Sequence, residues 1–122
     1  MAKIEYSPDA FSDLEHIGDY IEQELMSPIA AYNTIDKIQD SIDNLSVFPL
    51  MGTQLSTIFD FDSDYRFLVC GNYLAFYRYD EPYVYIDRII YGKRDYIAIL
   101  FPGLSLLATS EDFPEEFEKK DK

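Results

Sequence analysis

The chain predicts an α+β fold, an N-terminal helix hairpin packed on a small antiparallel β-sheet, from three observations. Over its first 48 residues, apolar side chains recur every three or four positions. From Arg66 the period shortens to two, in runs rich in Tyr, Phe, Val and Ile. Tight-turn residues divide this second part into three runs. A length of 122 residues suits one domain with its own core. Composition agrees: 48% of the residues are apolar and 16% aromatic, well above what a disordered chain carries.

"KIEY" at the start alternates only weakly. Ser7-Pro8-Asp9 then supplies an N-cap, a proline for the first helical position and an acid for the first turn, which predicts a helix. Ala10, Leu14, Ile17, Ile21 and Leu25 form its apolar stripe, and Asp13, Glu15, Asp19, Glu22 and Glu24 occupy the remaining faces. Ser27-Pro28 repeats the start signal. Ala31, Ile35, Ile38, Ile42 and Leu45 follow at helical spacing until Phe48-Pro49 ends the pattern. The link between the two helices is so short that they fold back on each other and present both stripes to one side.

"TQLSTI" is a candidate short strand, followed by the strands "RFLVC", "YLAFYRY" and "YVYIDRIIY". Gly71-Asn72 and Asp80-Glu81-Pro82 are the turns between the last three, so these strands pair as an antiparallel meander. Strict alternation puts Val84, Ile86, Arg88 and Ile90 on one face of the last strand, with Tyr85, Asp87, Ile89 and Tyr91 on the other. Arg78 shares a face with Leu74 and Phe76. Arg78 and Arg88 thus fall among core positions, either as structural residues paired with acids such as Asp87 or Asp80 or as part of a binding site.

The division into domains follows: residues 1–100 are the folded unit, and 101–122 an acidic C-terminal extension that starts apolar and becomes charged. The extension is expected to dock its apolar start and to tune activity through its acids. Cys70, the single cysteine, lies in an apolar run and reads as a buried small hydrophobe. The start has no hydrophobic signal core, and the longest apolar run is broken by Pro102-Gly103, so a cytoplasmic protein with no membrane association is expected.

Formal net charge is −13, yet all four arginines fall between residues 66 and 94. The first 65 residues carry 13 acids and two bases, whereas residues 66–100 carry four acids and five bases. An acidic protein repels nucleic acid at long range, so a phosphate-handling site would need arginines converging at close quarters. One histidine and one cysteine leave no zinc set, and neither common glycine-rich phosphate loop is present, so no metal or small-molecule cofactor is expected. His16 has no nucleophile near it in sequence and reads as an exposed helix residue. What remains is a strand-end cluster of Arg66, Lys93, Arg94 and Tyr96, with Tyr91 close by. Guanidinium groups match phosphate oxygens, and tyrosine stacks on bases or transfers a proton.

"YSPDAFSDLEHIGDYI", "LSVFPLMG", "DYRFLVCGNYLAFYRYD" and "VYIDRIIYGKRDY", in that order, resemble the RelE/ParE superfamily of bacterial type II toxin-antitoxin toxins over about residues 1–100. The resemblance implies a small growth-arresting toxin neutralised by a cognate antitoxin. It implies ribosome-dependent mRNA cleavage in one branch, with Arg66, Arg94 and Tyr96 as catalytic residues and Lys93, Arg88, Arg78 and Tyr91 binding RNA or target. The alternatives are inhibition of DNA gyrase without catalysis, or a degenerate member that only binds its antitoxin. Nuclease members usually carry lysines where this chain reads "SVFPLMGTQLSTI", and a late aromatic or histidine where it reads "IAIL".

Overall fold

The computed structural model describes residues 1–59 and 62–102; the expectations for residues 103–122 lie outside it. Chain order is β1 (Lys3–Tyr6), α1 (Pro8–Leu25), α2 (Pro28–Asp43), β2 (Thr53–Gln54), β3 (Arg66–Cys70), β4 (Tyr73–Asp80), β5 (Tyr83–Tyr91) and α3 (Tyr96–Leu100). Short 3₁₀ turns cover Asn44–Ser46 and Leu55–Thr57. Both predicted helix starts form as read: the Ala10 N–H donates to Ser7 Oγ (2.9 Å) and the Ala30 N–H to Ser27 Oγ (3.1 Å), with proline in the first turn each time. Met26 closes α1 in the left-handed region (φ 52°), and its N–H donates to the Glu22 carbonyl.

The strands form one sheet in the order β1-β5-β4-β3-β2. The meander β3–β4–β5 is antiparallel as predicted, with β2 antiparallel on one edge. The other edge corrects the sequence reading: β1 pairs parallel to β5, Lys3 opposite Tyr83 through Tyr6 opposite Ile86, so the sheet is mixed. Four weakly alternating residues hold no sign of a partner 80 positions away. "TQLSTI" likewise gives only two strand residues before turning into 3₁₀.

A second correction concerns faces. The β4–β5 register shifts between Phe76, opposite Arg88, and Tyr77, opposite Ile86, so Asp87 is an extra residue and β5 carries a bulge. The bulge resets the alternation. Val84, Ile86 and Ile89 all enter the core beneath the helices, with Leu14, Ile38, Ile42 and Tyr77. Ile90 joins the core on the opposite face, with Leu55, Phe59, Phe76, Tyr96 and Ile97. The sheet is thus sealed by the helix hairpin on one side and by α3 with the Leu55–Thr57 turn on the other. Cys70 is buried as read, and desolvation pushes its thiol up to about 11.

Candidate functional site

Each arginine has its own structural setting. Arg88 reaches α1 and forms a two-pronged pair with Asp13, Nε to Oδ2 and Nη2 to Oδ1, both 2.8 Å. Asp13 Oδ2 also accepts from the Ile89 N–H (2.8 Å), and the Ser7 hydroxyl donates to the Asp87 carbonyl (2.7 Å). α1 therefore pins the bulge through three residues. These hydrogen bonds hold the Arg88 guanidinium charged against its partial burial. Arg78, more exposed, pairs with Asp87 (Nε to Oδ2, 3.0 Å) and lies over the Tyr65 ring at 5.5 Å. Burial first, then Asp87, pushes the Tyr65 phenol up to about 12. Asp87 as the Arg78 partner was legible in the sequence. Asp13 as the Arg88 partner was missed, because only the fold brings residues 75 apart together.

Arg66, at the start of β3, turns back on the loop before β2: Nη1 donates to the carbonyls of Gly52 (2.9 Å) and Leu50 (3.3 Å). Tyr77 grips the same loop from the core. Its buried hydroxyl accepts from the Gly52 N–H and donates to the Pro49 carbonyl, both 2.9 Å. A Cβ at residue 52 would stand 2.5 Å from that hydroxyl and 2.8 Å from the Phe67 carbonyl, so only glycine fits there. The clamped loop presents Phe48, Leu50 and Met51 to solvent.

Lys93 and Arg94 occupy the turn after β5, where the Gly92 N–H donates to the Asn72 carbonyl (2.8 Å) and the Arg94 N–H to the Tyr91 carbonyl (2.9 Å). Tyr96 begins α3, and its side chain is only 5% exposed, with its ring 5.2 Å from Phe76 and 6.1 Å from Phe59. Desolvation, then Asp95, raises its pKa. The short helix α3 was not predicted, although Asp95 signals it: its carboxylate caps the Ala98 N–H (3.2 Å).

Arg66 and Arg94, two of the three candidate catalytic residues, are therefore not gathered at one point. Arg66 lies opposite Tyr77 and Tyr91 opposite Tyr73, so Arg66 comes level with the middle of β4 whereas the turn bearing Arg94 lies at its start. At 3.3 Å per residue, the four positions between them measure about 13 Å of strand. What the structure does bring together is a groove of about 720 Å³ between the open side of α1 and the end of β5. Ile17, Tyr20, Ile21 and Leu25 line one wall; Tyr73, Ile89, Tyr91 and Arg94 line the other. His16 stands exposed at its rim, as expected. Among the described residues, no group of His, Cys, Asp and Glu is placed to hold a metal ion, and no helix is long and apolar enough to cross a membrane.

Comparison with known proteins gives the following. Residues 4–96 match the family model described as ParE toxin of type II toxin-antitoxin system, parDE. No curated protein matches the sequence. Among solved structures, the fold is similar to a chain of the chromosomal ParDE TA system from P. aeruginosa, at 21% identity and a TM-score of 0.63, covering 75% of this chain and 96% of that one. YafQ from E. coli strain BL21(DE3) matches at 16% identity and a TM-score of 0.43, over 83% of this chain and 99% of that one.

Proposed function

Since this chain belongs to the ParE family of type II toxin-antitoxin toxins, we propose that it arrests growth by binding a protein target, and not by cutting RNA. The target is DNA gyrase, the one that the superfamily resemblance associates with its non-nucleolytic branch. The toxin acts in the cytoplasm and is held inactive by a cognate antitoxin. Residues 1–100 form the toxin domain, and the acidic residues 101–122 tune its affinity.

The separation of Arg66 from Arg94 carries this reading. A ribonuclease of this type needs charge stabilisation and proton transfer within a hydrogen bond's reach of one phosphate. Here one arginine is spent on two loop carbonyls, and the tyrosine is packed between two phenylalanines. Arg94, Lys93 and Tyr91 keep a binding role in this account, as a cationic and aromatic border to the groove. That same border is what favours the second reading, mRNA cleavage on the ribosome, since cations beside tyrosine rings suit single-stranded RNA.

The test is growth arrest on induction without antitoxin. Tyr96→Phe keeps the packed ring and should remain fully toxic, whereas Arg94→Ala should weaken arrest by removing an anchor. A harmless Tyr96→Phe variant that still folds would make the phenol a proton-transfer group worth about 10²-fold or more and return the ribonuclease to first place.

A further inference from the structure

The loop before β2 is held from inside. The buried Tyr77 hydroxyl bonds the Pro49 carbonyl and the Gly52 N–H, and Arg66 Nη1 donates to the carbonyls of Leu50 and Gly52. What the loop turns outward is apolar: Val47, Phe48, Leu50 and Met51 are each 50 to 64% exposed. Exposed apolar side chains gathered in this way mark an interaction site, and a loop that is already fixed loses little entropy when something covers it.

Charge and the path of the chain select the occupant. Residues 44–59 contain no charged side chain, in a protein of net charge −13. Arg78 and Arg88 are paired with Asp87 and Asp13, but among the described residues no carboxylate pairs with Arg66 at the base of the loop. The site therefore offers apolar surface beside a cation, and suits a segment that is both apolar and acidic. The chain itself carries one. α3 leads to Phe101, whose ring stands 5.6 Å from that of Tyr65, the residue before Arg66. Twenty residues follow Pro102, with Leu104, Leu106 and Leu107 first and Glu111, Asp112, Glu115 and Glu116 after them. At about 3.3 Å per residue, Leu107 can reach about 16 Å beyond Pro102 and Glu116 about 46 Å, ample to cross the two-residue strand β2. Tethering also gives such a segment an effective concentration on the order of millimolar. A second copy meeting loop to loop would oppose two Arg66 guanidiniums with no acid in residues 44–59 to separate them, and an anionic bilayer would repel so acidic a chain.

We infer that the acidic extension beyond Pro102 folds back across β2 onto this loop, its leucines covering Phe48, Leu50 and Met51 and its carboxylates reaching Arg66. The extension lies beyond residues 4–96, which the family match covers. The inference rests on the tuning role proposed above for the extension and gives that role a place: an outside partner of the loop must first displace the chain's own acidic segment.

The test places a nitroxide on Ser110→Cys in the full chain and follows its broadening of backbone amide signals in ¹⁵N-labelled protein. The unaltered chain taken through the same labelling controls for Cys70, which is buried. Amides of Val47, Phe48, Leu50, Met51 and Gly52 should lose intensity and recover when the nitroxide is reduced. Raising salt from about 50 to about 300 mM should weaken the effect. Most of it should be lost in Glu111→Gln/Asp112→Asn/Glu115→Gln/Glu116→Gln, and likewise in Leu106→Ser/Leu107→Ser. All of these changes fall outside the folded core, so a failure to fold does not confuse the result. Broadening absent from the loop overturns the inference, as does broadening centred on the tip of the α1–α2 hairpin, where Leu25, Met26 and Ile29 are also exposed. Broadening indifferent to the leucine variant would be charge attraction alone and also overturns it. So does equal broadening when spin-labelled chain without ¹⁵N is mixed with ¹⁵N chain without the label, which would make the occupant a second copy. Growth arrest enters none of these readouts, so failure of the toxin reading and failure of this inference are distinguishable.

Discussion

The two halves of α1 continue one apolar stripe and meet opposite fates. Ala10 and Leu14 are buried against the sheet, with Ser7 and Asp13 fastening the helix to the β5 bulge, while Leu25 on the same stripe stands 63% exposed beyond the strands. Periodicity measures which face of a helix is apolar and is silent about whether the chain itself covers that face. The seated half is explained by folding. The chain leaves the overhanging half open to solvent.

Substitutions at matched positions sharpen the contrast. Leu14→Ala should cost about 3 kcal/mol, the transfer of a buried side chain plus the cavity left in the core. Leu25→Ala should change stability by less than about 0.5 kcal/mol, as at other exposed sites. Urea unfolding with the slope held constant measures both. Equal losses would mean that the overhang is covered in solution by the chain itself.

Removing the fastening comes next in size. Asp13→Ala leaves the partly buried Arg88 guanidinium and the Ile89 N–H without their shared acceptor, a loss of about 2 kcal/mol. Amide exchange should quicken at Ile89 and its β5 neighbours first. Unchanged exchange there would show that the bulge holds without α1.

A smaller effect than the loss of Asp13 lies at the tip and has the opposite sign. Met26 adopts φ 52° at the end of α1, where glycine is free of the strain a Cβ brings. Met26→Gly should raise stability by about 0.5 to 1 kcal/mol, read as a shift in the urea midpoint.

How much of this could be read in the sequence varied with the range of the interaction. Both helices were legible because Ser-Pro starts and 3.6-residue stripes are local signals, and the meander because its turns are. The parallel β1–β5 pairing and the bulge were not, since each depends on contacts across some 80 residues: Lys3 with Tyr83, and Ser7 with Asp87. The bulge reversed the face assignment from Arg88 onward, which strict alternation cannot foresee. For the candidate site, the sequence placed the cations correctly at strand ends but could not tell which end. Arg66 and Arg94, which read as one cluster, stand level with the middle and the start of β4, and Tyr96 begins a helix whose cap, Asp95, was the available clue.

That separation is the basis for reading this toxin as a binder, and a reconstituted assay addresses it directly. Purified chain is added in parallel to ribosomes translating a defined mRNA and to a gyrase supercoiling reaction, and the RNA ends and plasmid topology are resolved on gels. Supercoiling should be inhibited while the mRNA stays full length, with Tyr96→Phe behaving like the parent chain. Ribosome-dependent cuts in the mRNA, lost in Tyr96→Phe, with supercoiling untouched, would contradict the account.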